Sequence, residues 1–163
     1  GHISVISKEG KGTTFTLLFP AEEPSRDEQT PSGLELTEFK GSGESILLVD
    51  DSEQQRQIAS DILTHLGYTP ITAPSGEEAV RYLKDNTVDL VILDMIMDPG
   101  INGLETFKKI IEFRPSQKAI IASGYSRQKP IEEARKLGIS DFVVKPYSVA
   151  RIGQAVYTVL QKG

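Results

Sequence analysis

Five short apolar runs, each followed by a helical pattern with a marked start, fill the chain from residue 45 onward and leave little choice of fold. The runs occupy 46–49, 71–73, 90–93, 119–122 and 142–144. Strands this short and this continuously apolar suit burial on both faces. Their alternation with helices implies a parallel sheet covered on both sides. Ser52 and Ser75 each precede a helical pattern with Gln or Glu three residues on, the spacing of a capping box. The first helix then carries Ile58, Ile62 and Leu66 and can close at Gly67. The second carries Ala79, Val80 and Leu83. A third runs from Gly103 and stops before Pro115, because the residue preceding proline avoids the helical region. Pro130 suits a first helical position and Gly138 the residue just past that fourth helix. Ser148 opens the last helix, with Ile152, Val156 and Leu160. Pro70 falls at the second strand, and proline is tolerated on sheet edges, which favours the strand order 2-1-3-4-5. The expected fold class is therefore α/β, a doubly wound (βα)5 flavodoxin-like sandwich, with an N-terminal β-hairpin in front of it.

Two further segments precede this one. Ile3 and Val5, then Phe15, Leu17 and Phe19, alternate with other residues around Gly10-Lys11-Gly12, the pattern of a hairpin. A lone hairpin is marginal in water, so this one is expected to belong to a larger sheet. Residues 22–44 are rich in Glu, Ser, Pro, Thr and Gly and read as a linker, in which Leu34, Leu36 and Phe39 are candidates for docking. The expected boundaries are 1–21 for the hairpin, 22–44 for the linker and 45–163 for the main domain. The start Gly1-His2-Ile3 lacks Met and a signal pattern, so the chain reads as a piece of something longer or one bearing a tag scar. Cysteine is absent, which excludes disulfides and thiolate metal sites. The net charge of −5, without a basic cluster, points away from nucleic acid. No apolar run approaches the ~20 residues of a membrane span.

In open α/β sheets ligands bind beyond the carboxyl ends of the strands, where the strand order reverses. In the order 2-1-3-4-5 that point lies between strand 1, followed by Asp50-Asp51, and strand 3, ending in Asp94. Adjacent strands lie ~4.8 Å apart, so these carboxylates can share a small hard cation such as Mg²⁺. Strand 4 ends at Ser123, a hydroxyl donor. Strand 5 ends at Lys145, a compact positive charge. Singly, each would more often be a cap or a solvated loop residue. Together on one rim they suit phosphoryl transfer, which depends on positioning and charge neutralisation.

At these residues the chain resembles the receiver domains of two-component signalling. The matching pieces are Leu47-Leu48-Val49-Asp50-Asp51, Val91-Ile92-Leu93-Asp94-Met95-Ile96-Met97, Ala122-Ser123-Gly124-Tyr125 and Phe142-Val143-Val144-Lys145-Pro146-Tyr147, in the family's order. The resemblance implies that Asp94 is the phosphorylated nucleophile. It implies Asp50, Asp51, Asp94 and the Ile96 carbonyl as Mg²⁺ ligands, and Lys145 and Ser123 as partners of the phosphoryl group. Phe142 would be the aromatic switch residue that moves with Ser123, and Lys145-Pro146 a peptide bond usually cis. The implied output is a change at the face of the fourth helix, fifth strand and fifth helix. One departure stands out: the loop Met97-Asp98-Pro99-Gly100-Ile101-Asn102-Gly103 is one residue longer than the family's, so it should bulge.

The first segment resembles the C-terminal end of a histidine-kinase ATPase domain, through Ile3-Ser4-Val5, Gly10-Lys11-Gly12-Thr13-Thr14-Phe15 and Leu18-Phe19-Pro20. The order kinase end, linker, receiver implies a hybrid sensor histidine kinase acting in the cytoplasm. This piece lacks the rest of the ATP site. The chain's two histidines, His2 and His65, lack a phosphoacceptor context, so the donor is expected to be a partner phosphohistidine on a kinase or phosphotransfer domain. A downstream signalling protein would read the output. Neither nucleic acid nor membrane contact is expected of this piece, and exposed hairpin edges are a candidate route to a homodimer. Two other function classes compete. A Mg²⁺-dependent aspartyl-phosphate hydrolase would want an acid where Ile96 stands, and a non-phosphorylated docking module would not need the acids, Ser123 and Lys145 together. Ile96 and Tyr125 flank the expected path of a hydrolytic water and neither orients water well, which predicts a long-lived phosphoryl group. Replacing them by Ile96→Asn with Tyr125→Glu should speed dephosphorylation in a decay assay; an unchanged rate would refute this steric account.

Overall fold

The computed structural model describes residues 1–19, 39–124 and 134–161. The chain divides into two compact units, residues 1–30 and 31–163. The first contains the antiparallel hairpin β1 (His2–Lys8) and β2 (Gly12–Leu18). Its register sets Ile3 opposite Leu17 and Val5 opposite Phe15. These four share one face because side chains alternate along a strand. Both strands are exposed throughout, and Gly10 and Gly12 turn the chain at positive φ (74° and 95°).

The second unit holds β3 (Ser45–Val49), α1 (Glu53–His65), β4 (Thr69–Ala73), α2 (Gly76–Asp85), β5 (Leu90–Asp94), α3 (Gly103–Phe113), β6 (Ala119–Ser123), the end of α4 (described over 134–136), β7 (Asp141–Val144) and α5 (Val149–Gln161). The five strands form one parallel sheet in the order β4-β3-β5-β6-β7. Counted within this unit, that is the expected 2-1-3-4-5. Pro70 lies inside β4, an edge strand that pairs only with β3, so its missing N–H costs no inner ladder bond. The two sheet faces bury separate clusters, as alternation requires. Ile46, Leu48, Leu90, Ile92 and Ile120 pack with α1 and α5. Leu47, Val49, Val91, Leu93 and Ile121 pack with α2 and α3.

The helix ends follow the expected residues. Ser52 Oγ accepts from Gln55 N and Ser75 Oγ from Glu78 N, and Ser148 Oγ from Arg151 N opens α5. Gly67 and Gly138 take positive φ (86° and 93°) just past α1 and α4. The reciprocal capping box belongs instead to Asn102 and Glu105 at α3, each side chain bonding the other's backbone N–H. Pro130, Leu34 and Leu36 lie outside the described residues.

The end of the stretch read as linker is packed onto the sheet domain. Gly41 N donates to the Leu66 carbonyl and Gly43 N to the Gly67 carbonyl (2.8 and 3.0 Å). The Phe39 ring meets Tyr157 of α5 edge-on, with centroids 6.1 Å apart, and its carbonyl accepts from Tyr68 Oη. Gly153 of α5 leaves the room: a Cβ there would press on Leu66 and Phe39. Burial, then the charge of Glu44, pushes the Tyr68 phenol up to about 12. An unfolded tyrosine ionises near ~10, so between those values the folded chain holds the extra proton and stability falls as pH rises. Urea unfolding at about pH 9 and about pH 11 should show this loss in the wild type and a smaller one in Tyr68→Phe. Equal losses would contradict it.

Candidate functional site

The sheet's register builds the site. Leu93 pairs with Val49, Asp94 with Ala122 and Ser123 with Val144, so Asp50, Asp94, Ser123 and Lys145 leave four adjacent strands at one rim. The same ladder continues into the loops, where Met95 N donates to the Ala122 carbonyl and Lys145 N to the Ser123 carbonyl. A Cβ at position 103 would run into the Asp94 carbonyl, so Gly103 lets α3 start directly against the strand end.

Asp50 is buried, 5% exposed, and both its oxygens are engaged. Oδ1 accepts from Ser52 N at 2.9 Å and Oδ2 pairs with the Lys145 ammonium. The same ammonium lies 3.0 Å from Asp94 Oδ2. Burial pushes the Asp94 carboxyl above the usual range. Lys145 pulls it back, Asp50 raises it, and the Ile96 N–H, 3.5 Å from Oδ1, lowers it. Desolvation therefore outweighs the ion pair, as expected where two acids share one cation. Asp51 faces outward and its Oδ2 accepts from Asp98 N at 3.2 Å. Among the described residues, Asp50, Asp51 and Asp94 form a group whose ligand oxygens all lie within 4.8 Å of one another. On a Mg²⁺ octahedron such oxygens are about 3–4 Å apart, given bonds of ~2.1 Å, so small side-chain shifts or one bridging water make the set fit that ion.

The remaining expected residues are close by. Ser123 is half-buried at the tip of β6. Ile96 is 66% exposed beside Asp94. Phe142, on β7, packs partly buried against the α2–α3 side of the core. Lys145-Pro146 is cis, as is Asp98-Pro99 in the long loop. Tyr125 lies outside the described residues. The loop between β5 and α3 is held by α2: Glu77 Oε1 accepts from Ile101 N at 3.0 Å, and Gly100, at φ 128°, sits against the same carboxylate. Hydrogen bonds from its own backbone N–H and then from that of Ile101 hold the Glu77 carboxyl below its usual range.

Three contributors were not singled out from sequence. Arg56 donates to the carbonyls of Asp50 and Asp51. Glu77 clamps the loop. The Tyr147 ring lies 6.0 Å from Lys145 Nζ, and burial, with Asp50 and Asp94 adding, pushes its phenol far up. The sequence signals were faint: Arg56 is one turn into a helix that starts at the acids, and Tyr147 stands two residues past Lys145.

Residues 46–157 match the family model described as the response regulator receiver domain. The chemotaxis protein CheY of Thermotoga maritima is 36% identical over 115 residues, covering 70% of this chain and 95% of that protein. The sensor kinase CckA of Brucella abortus is 30% identical over 174 aligned positions, covering 99% of this chain but 18% of the kinase. Among solved structures, the Borrelia burgdorferi CheX-CheY complex with BeF3 and Mg²⁺ superimposes with a TM-score of 0.70 at 32% identity, covering 73% of this chain and 90% of that one.

Proposed function

The chain belongs to the response regulator receiver domain family of two-component signalling, and on that premise we propose that Asp94 accepts a phosphoryl group from a partner phosphohistidine. The observation that carries this is the position of Lys145, whose one ammonium faces both Asp50 and Asp94 at the end of the sheet. That arrangement gathers two acids around one positive charge through Asp50 Oδ2 and Asp94 Oδ2, while Asp94 Oδ1 meets the Ile96 N–H at 3.5 Å. A carboxylate oxygen of Asp94 attacks phosphorus, the P–N bond breaks, and its electron pair leaves with the imidazole, which takes a proton from water. The product is an acyl phosphate on Asp94. Mg²⁺ held by Asp50, Asp51 and Asp94, with the Ile96 carbonyl, would neutralise charge on the transferring group. Lys145 then pairs with the new phosphoryl oxygens and the Ser123 hydroxyl donates to one of them, with Phe142 following into the space beside it. The readout would be the face of α4, β7 and α5, presented to a downstream protein.

The wider context is part of the same proposal. Residues 1–21 would be the closing hairpin of a kinase ATP-binding domain, 22–44 the connection, and 45–163 the receiver of a hybrid sensor kinase working in the cytoplasm. The similarity to a sensor kinase across 99% of the chain supports it. No described helix is long and apolar enough to cross a membrane. The hairpin alone would not form a nucleotide site, so ATP binding by this 163-residue chain in equilibrium dialysis would contradict that assignment.

The function itself is tested with acetyl phosphate. Incubation with Mg²⁺ should add one phosphoryl mass to the wild type and none to Asp94→Ala, and chelating Mg²⁺ should abolish the adduct. A folded wild type that gains no mass would leave a docking module as the function.

A further inference from the structure

The turn that carries Asp50 and Asp51 is held from behind by a residue outside the acidic cluster. Arg56 lies in the first turns of α1, where its own N–H donates to the Ser52 carbonyl and fixes its height on the helix. From there its Nη1 reaches back to 2.6 Å from the Asp50 carbonyl oxygen and 3.1 Å from that of Asp51. One nitrogen thus bridges two successive peptide oxygens. That bridge ties down both carbonyls at a turn where the Asp50 side chain is buried and the Asp51 side chain exposed. The bonds fall on carbonyl oxygens, while the carboxylate oxygens meet Ser52 N, Lys145 and Asp98 N. Arg56 is half-buried, so its charge-assisted bonds are partly shielded from water.

We propose that Arg56 is a positioning residue for cation binding: it sets the relative orientation of the Asp50 and Asp51 carboxylates without occupying either. This rests on the acids holding Mg²⁺, as proposed above. Two effects of Arg56 oppose each other in sign, which makes the role measurable. As a nearby positive charge it repels a cation, and removing it for that reason alone would tighten Mg²⁺ binding. As a brace it preorganises the ligands, and removing it would weaken binding. A half-buried charge acts on a cation at the solvent-facing rim through water and salt that screen part of the Coulomb effect, whereas loss of a group that orients metal ligands typically costs about 10–100-fold in affinity. The brace therefore dominates.

Backbone amide NMR on the 163-residue chain gives the test, with metal-free spectra in EDTA reporting the fold and a MgCl2 titration giving Kd. Arg56→Ala should keep the metal-free spectrum outside the α1 start and raise Kd by about tenfold. Arg56→Lys puts an ammonium within reach of the same two carbonyls and should recover most of the wild-type affinity. An unchanged or lower Kd in Arg56→Ala would overturn the proposal, since charge would then outweigh positioning. A well-folded Arg56→Lys that binds as weakly as Arg56→Ala would overturn it too, and this variant carries the test if Arg56→Ala does not fold. A wild type with no Mg²⁺-dependent shifts would remove the metal site itself, an outcome distinct from the other two.

Discussion

One ammonium facing two carboxylates at the end of a parallel sheet is the interaction on which this site depends. Lys145 meets Asp50 and Asp94 only because β3, β5, β6 and β7 run in the same direction and in register. A one-residue slip in any of those strands would turn its terminal residue to the other face and dissolve the cluster. The core enforces that register, since every strand buries alternate residues in one of two separate clusters. Packing energy thus holds together charges that would otherwise repel. A residual cost falls on Asp94, whose carboxyl burial pushes up against the pull of Lys145, with Asp50 adding to the rise.

Much of this was legible in the sequence because it rests on local signals. Continuous apolar runs gave the strands, Ser and Gly gave the helix ends, and Pro70 alone argued for the edge position that β4 occupies. The rim residues could be read because each follows a recognisable strand. Glu77 was not legible because the loop it holds lies on a distant stretch of the chain. Arg56 and Tyr147 stand close to their partners in sequence but carry no pattern that shows their side chains turning back onto them. The α3 capping box is a different case. Asn102 with Glu105 carries the spacing plainly, directly before the Gly103 at which the helical pattern begins.

The packed end of the linker shows the same division between local and tertiary information. Phe39 stood out as a docking candidate in a polar stretch, but its seat could not be read locally: Gly153 and Tyr157 on the distant α5 form it, and the carbonyls past α1 lack helical partners. The receiver domain therefore begins in physical terms a few residues before its first strand.

If the four strand ends form a single site for a cation and a phosphoryl group, both should be found there together. A crystal grown with Mn²⁺ and beryllofluoride, with anomalous scattering from the metal, tests this most directly. The anomalous peak is expected between Asp50, Asp51 and Asp94, with the fluorides on Asp94 facing Lys145 and Ser123. A metal bound elsewhere, or beryllofluoride absent from Asp94 in a well-ordered domain, would contradict it.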